Sequence, residues 1–365
     1  MKSLRKTTLL VLAAALIWFS FQLQAQNPTP PTANPPQGTQ PEKPQAPPKF
    51  TVTTTEVIVP VTVKDRHGNL VADLRKEEFR VFEDNVEQAI TRFITEAYPI
   101  SMVVLVDNDL RQKDADQVEP SLISLVGGMS TSDEAFICRF DQYFHEGKGF
   151  TRDQEKLATE LRRTELAKRS STPPSGGPFS GPTINGIPAP GAPQGDPVSG
   201  LAIKGQPTKA LDDAVYSAAM LLKDRDAKKR RKIILLISDG QNGAKFNTHS
   251  YEETRAELLL QGIAVYSIAT GNSFFERKFN RLGSYAHDSG GDLYYGAKEK
   301  TFSDFYSRIT EEARNQYTLI YSPHGESKVD YHSIEVRVRR EGLTILTRKG
   351  YYGGAARDVV VVAPK

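Results

Sequence analysis

Two uninterrupted apolar runs, each leading into aspartate, constrain this 365-residue chain more than any other feature. In SMVVLVDNDLR, residues 101–111, positions 102–106 are all apolar. A strand without polar alternation is buried on both faces, as strands of parallel sheets are. A second such strand, KIILLISDG at 232–240, delivers Asp239 as the first delivers Asp107 and Asp109. Ligands of open α/β sheets sit beyond the carboxyl ends of the strands, so these aspartates are expected at one cleft. Between the runs, GQPTKALDDAV puts Thr208 at the mouth of a helix.

The rest of residues 98–315 alternates strand and helix patterns. Helices are predicted over 115–128, within DQEKLATELRRTEL, from Thr208 to about 223, and over 250–261 and 301–314; strands are predicted in DEAFICRF, 144–150, IAVYSIATG and DLYYG. Such alternation predicts a parallel, Rossmann-like sheet with helices on both faces. Residues 170–206 break the pattern with proline, glycine and scarcely any large apolar side chain. They read as a loop without secondary structure, either disordered or lying over the cleft as a lid.

The flanks have a different period. In EVIVPVTVKD the valines at 57, 59, 61 and 63 alternate with Ile58, Pro60, Thr62 and Lys64, which predicts an antiparallel strand. Pro60 lacks a ladder donor and predicts an edge position. FRVFEDN and QAITRFI add two strands around an Asp-Asn turn, and QYTLIYS, HSIEVRVRR and LTILTRKGYY supply three more at the other end. Neither set has enough strands for a core, so residues 50–97 and 316–352 are predicted to complete one antiparallel β-sandwich, with the α/β domain (98–315) inserted and a tail at 353–365.

Ahead of the β region, Lys2, Arg5 and Lys6 precede an apolar run and Ala25, which reads as a signal peptide over 1–25. Leu23 stands where a small residue is usual, so an uncleaved anchor is the alternative. Residues 26–49 form a Pro-rich, disordered linker. Removing the leader takes Lys plus Arg from 47 to 44, equal to the 44 of Asp plus Glu, so the formal charge of +3 resides in the leader. A neutral mature chain gives no reason to expect nucleic acid or an anionic membrane as partner. The single cysteine, Cys138, excludes an intrachain disulfide.

The order of these motifs, a strand ending at Asp107, a Gly-x-x-Thr before a helix, then a strand ending Ser-Asp-Gly, resembles a von Willebrand factor type A domain. The phrases around it, VTVKDRHGNLVADLRKEEFRVFED before and GYY after, are similar to the VWFA-related domain family of secreted acidobacterial proteins. The resemblance implies a metal-ion-dependent adhesion site, with Asp107, Thr208 and Asp239 at matching positions. It departs from the pattern where Asp109 and Arg111 replace the two serines.

For a hard cation such as Mg²⁺, Asp107, Asp109, Thr208 and Asp239 are the oxygen ligands the topology brings together, with Arg111 as a substitute cation. The alternative is a vestigial site, in which Asp107 and Asp239 cap loops and Arg111 neutralises them. Asp212 and Asp213, in a first helical turn, read as structural. Cys138 reads as a core residue, and KKRRK at 228–232 as a solvated turn. The chain is thus expected to be an exported, periplasmic or extracellular protein-binding module of adhesion type, non-enzymatic, with a weak or vestigial metal site. Two alternatives remain. One is a Mg-dependent phosphotransferase, because VVLVDNDLR also resembles the opening of haloacid dehalogenase-type enzymes with Asp107 as nucleophile; the other is a structural envelope component.

Overall fold

The computed structural model describes residues 54–164, 166, 183–184, 187–188, 209–227, 229–271, 281–296, 299–323, 330–353 and 359–360. The expected signal peptide and linker, most of the 170–206 loop and Thr208 lie outside them. Within that loop, Thr183–Ile184 and Ile187–Pro188 pair antiparallel.

Strands β1 (Val57–Lys64), β2 (Phe79–Glu83), β3 (Val86–Gln88) and β4 (Ile90–Ile94) come first. The α/β region follows with β5 (Ile100–Asp107), α1 (Gln112–Ser121), α2 (Ser124–Gly128), β6 (Glu134–Phe140), β7 (Phe144–Glu146) and α3 (Gln154–Arg162). It continues with α4 (Leu211–Leu221), β8 (Arg231–Ser238), α5 (Tyr251–Gln261), β9 (Ile263–Ala269), α6 (Arg281–Ser289), β10 (Leu293–Tyr295) and α7 (Glu299–Arg314). Strands β11 (Tyr317–Tyr321), β12 (Tyr331–Val338), β13 (Thr344–Thr347) and β14 (Gly350–Tyr352) complete the sequence.

Every residue of β5 and β8 is buried, as their unbroken apolar runs require. They are the central pair of a six-stranded sheet ordered β7-β6-β5-β8-β9-β10, parallel except for β7. Side chains alternate between two cores. Met102, Val104 and Val106 meet α1, α3 and α7 through Val118, Leu157 and Ile309. Val103 and Leu105 meet α4, α5 and α6 through Val215, Leu258 and Leu282. Strand order reverses between β5 and β8, the switch point where such sheets open a crevice.

The two ends of the chain share two antiparallel sheets, β13-β1-β11-β4 and β14-β12-β2-β3. Their inner faces form one core from Val57, Val59, Val61, Phe79, Val81, Leu319, Tyr321, Ile334 and Val336. Asp84 and Asn85, with φ of 46° and 67°, make the tight turn between β2 and β3. This sandwich abuts the amino-terminal edge of the parallel sheet, away from the switch-point crevice. There Lys64 bonds Asp292 Oδ2 (2.6 Å) and Glu312 Oε1 (2.5 Å), and Arg231 donates to Thr318 Oγ1 (2.6 Å).

Four local expectations are corrected. Strand β1 is interior rather than an edge. The Pro60 carbonyl accepts from the Thr347 hydroxyl at 2.9 Å, so its missing N–H faces the side where the β13 ladder has stopped at Val61. QAITRFI divides, because β3 and β4 belong to different sheets. The helix expected over 115–128 breaks into α1 and α2, with Pro120 near the end of α1. Helix α6 was not expected, yet the parallel pairing of β9 with β10 needs a crossover to carry the chain back.

Candidate functional site

At the switch point, β5 ends on Asp107 and β8 ends on Ser238, with Asp239 next. The Asp107 carboxylate is fully buried and both its oxygens accept local hydrogen bonds. Its Oδ1 accepts the Asp109 N–H (2.9 Å), and its Oδ2 accepts from Ser238 Oγ (2.6 Å) and Lys209 Nζ (2.7 Å). Lys209 also donates to Asp239 Oδ1 at 2.9 Å. The lysine side chain is 3% exposed, its partners 0% and 8%, so this is an interior ion triad.

The loop before α4 is what delivers that ammonium. Ala210 N–H donates to Asp141 O (2.9 Å) and Gly243 N–H to Lys209 O (2.8 Å), which ties the segment to both neighbouring loops. Helix α4 then starts with Asp212, buried, and Asp213, half-buried, both held in structural bonds. Asp212 accepts from Tyr285 OH and Asn242 Nδ2, both at 2.7 Å, and Asp213 accepts from the Thr248 and His249 amides.

Burial pushes the Asp107 carboxyl up to about 6; Lys209 opposes that rise and the Asp239 charge adds to it. Burial alone would lower the Lys209 ammonium, but the two carboxylates outweigh it and hold the group above its ordinary value. At neutral pH Asp107 and Lys209 therefore face each other as carboxylate and ammonium.

Of the residues expected here, Asp107 and Asp239 converge on Lys209, and half-buried Asp109 contacts Asp107 through its backbone. Arg111 is paired elsewhere: its Nε donates to Asp114 Oδ2 at 2.8 Å. Gly271, at φ +60°, leaves room for that pair, since a Cβ there would stand 2.7 Å from both Arg111 Nη2 and Asp114 Oδ2. The substitute cation between the aspartates is Lys209, one residue beyond Thr208. One signal pointed to it. A lysine just before a helix start opposes the helix dipole, so a carboxylate partner is needed to hold it there.

Among the described residues, the Lys209 ammonium occupies the space between the Asp107 and Asp239 carboxylates, where the expected divalent cation would otherwise compete with it. The haloacid dehalogenase-type alternative gains no support either. Asp107 has no solvent-facing oxygen with which to attack phosphorus. Among the described residues, one group of three side chains has metal-ligand chemistry and close spacing, Glu83, Asp84 and His332 in the sandwich. Its oxygens are engaged by Tyr321, Tyr351, Ser333 and His332 itself. Cys138 is a core residue whose thiol burial pushes up to about 12.

No family model and no curated protein matches the chain. Solved structures similar to it include an aerotolerance-related membrane protein from Bacteroides fragilis (13% identity, 59% of this chain and 98% of that one, TM-score 0.40). Others are a von Willebrand factor type A protein from Catenulispora acidiphila (8%, 82% and 73%, 0.41) and manganese-loaded TRAP from Plasmodium vivax (14%, 74% and 97%, 0.35). No helix of the described residues is long and apolar enough to cross a membrane. With its β7-β6-β5-β8-β9-β10 order, helices on both faces and paired aspartates at the switch point, the α/β part of the chain is a domain of von Willebrand factor type A fold, joined to an antiparallel β-sandwich.

Proposed function

We propose that this chain is an exported protein-binding module whose type A cleft works without a metal, its charge closed by Lys209. The carrying observation is the ammonium 2.7 Å from Asp107 and 2.9 Å from Asp239. A built-in cation of this kind supplies what a dication would supply structurally: it holds the carboxyl ends of β5 and β8 together. It cannot reach a partner's carboxylate, because it is buried and both its partners are internal. Recognition then falls to the surrounding loops, where Arg111 and Gln241 are exposed. The loops hold a surface feature of a partner protein through ordinary polar contacts, and no hydrolytic step is involved.

Export rests on the basic, apolar and small-residue order of residues 1–25, and predicts a mature chain starting near Gln26. Mass spectrometry of the amino terminus checks it.

The binding test is capture from an envelope extract on immobilised protein, with and without chelator, alongside Arg111→Glu/Gln241→Glu. The same proteins should be retained with chelator present and lost by the double variant. Loss on chelation overturns the metal-free reading. Retention unchanged by the variant overturns the loop surface. Turnover of a phosphate ester would show an enzyme instead.

A further inference from the structure

The basic run at 228–232 does not end in a solvated turn. Arg230, Arg231 and Lys232 line a cavity of about 270 Å³ between the amino-terminal edge of the parallel sheet and the sandwich. Apolar wall comes from Ile58 and Pro60 of β1, Leu258 and Leu259 of α5, and Ile233 and Ile263 of the sheet.

Arg231 is the informative member. It is 7% exposed, and its guanidinium donates to the Gln316 carbonyl (3.3 Å) and the Thr318 hydroxyl (2.6 Å) and lies over the Tyr98 ring. All of these partners are uncharged, and its Nε has no hydrogen-bond partner. Gln261, 3% exposed on the same wall, keeps an unpartnered Oε1. Burial lowers the Arg231 guanidinium to about 10, which leaves it cationic at neutral pH.

Burying a charge without a counter-charge is costly, and chains ordinarily pair it, as this one does at Lys209 and Lys64. Here no carboxylate bonds Arg231 among the described residues while space for one is present; Asp226, on the same cavity wall, is paired with Lys229. We propose that the junction cavity binds a small organic carboxylate with an apolar body, the carboxylate on Arg231 and the body against the aliphatic wall. A fork of guanidinium donors suits a planar carboxylate. The aliphatic wall selects against a bare inorganic anion, and the buried charge selects against a neutral alcohol. Because the cavity has walls from both parts of the chain, occupancy would brace the sandwich against the type A domain.

The test is titration calorimetry and thermal melting of the full mature chain with octanoate, 1-octanol and sulfate as separate probes. Octanoate should bind and raise the melting temperature in proportion to the logarithm of its concentration. The alcohol and sulfate should bind far more weakly. Arg231→Met should fold at least as stably as the parent, since it removes an unpaired buried charge, and should weaken octanoate roughly tenfold to a hundredfold. Arg231→Lys, keeping the charge without the fork, should fall between. No octanoate binding by the parent, or equal binding by Arg231→Met, overturns the proposal. Sulfate binding as tightly as octanoate overturns the apolar half of it.

Discussion

Replacing Lys209 by methionine removes the ammonium while keeping most of the side-chain volume, so it isolates the charge. In the parent, Lys209, Asp107 and Asp239 form a triad with side-chain exposures of 3%, 0% and 8%. Taking away one partner of a buried pair costs about 3–5 kcal/mol. At roughly 2–4 °C per kcal/mol for a domain of this size class, the melting temperature should drop by about 6–20 °C. The loss must also depend on pH. Burial and the Asp239 charge already raise Asp107 to about 6 against the pull of Lys209. Without that pull, its folded-state value climbs further above its unfolded one. A group raised in the folded state contributes stability that is fully present below the unfolded value, near 3.8, and is lost as pH rises through the folded one. The variant should therefore be weakest near pH 8 and recover toward the parent near pH 5, where Asp107 takes up a proton. Urea melts of both proteins at the two pH values read this directly. Adding Asp107→Asn and Asp239→Asn to Lys209→Met should restore much of the loss and abolish its pH dependence. A variant within about 1 kcal/mol of the parent at pH 8, or a deficit unchanged at pH 5, would refute the interior triad.

Lys64→Met should uncouple the two parts of the chain, because Lys64 joins β1 to Asp292 and to Glu312, whose carboxyl burial raises despite the ammonium beside it. Two separated unfolding transitions in place of one is the expected result by calorimetry. Truncation after Asn315 removes β11 and β13, both neighbours of β1, so amide-exchange protection across Val57–Lys64 should vanish; protection retained there would contradict a shared sheet. Asn85→Val forces a β-branched residue to φ 67° and should cost about 1–3 kcal/mol, with Asn85→Gly close to neutral in denaturant melts.

Much of the fold was legible in residue order. The unbroken apolar runs of β5 and β8 announced a sheet buried on both faces, and the period-2 valines of β1 announced the sandwich. Local propensity was misleading where topology decided the outcome. Pro60 reads as an edge residue, yet its strand is interior, because β13 ends just before its N–H would be needed. Gly283 and the polar residues of α6 hide a helix that a parallel crossover demands. At the site, the two aspartates could be placed from their strands. The cation was missed: Arg111 and Lys209 are both near the cleft in sequence, the awkward place of a lysine ahead of α4 was the one hint, and the backbone bonds of residues 209–210 are what bring Lys209 in.

The position of β1 between β11 and β13 has a consequence for how the chain is made. Pro60 and Thr347, in contact in the finished sandwich, are 287 residues apart. Strand β1 therefore emerges long before β13 and waits for it until residue 347 has been synthesised. Contacts of such long range are slow to form, and an unpaired valine-rich strand is a template for aggregation in the interval. The type A region, with its partners closer in sequence, can close meanwhile and hold the two ends near each other. In that waiting period Pro60 has a second value: a strand lacking one donor mid-length is a poor template for a stranger.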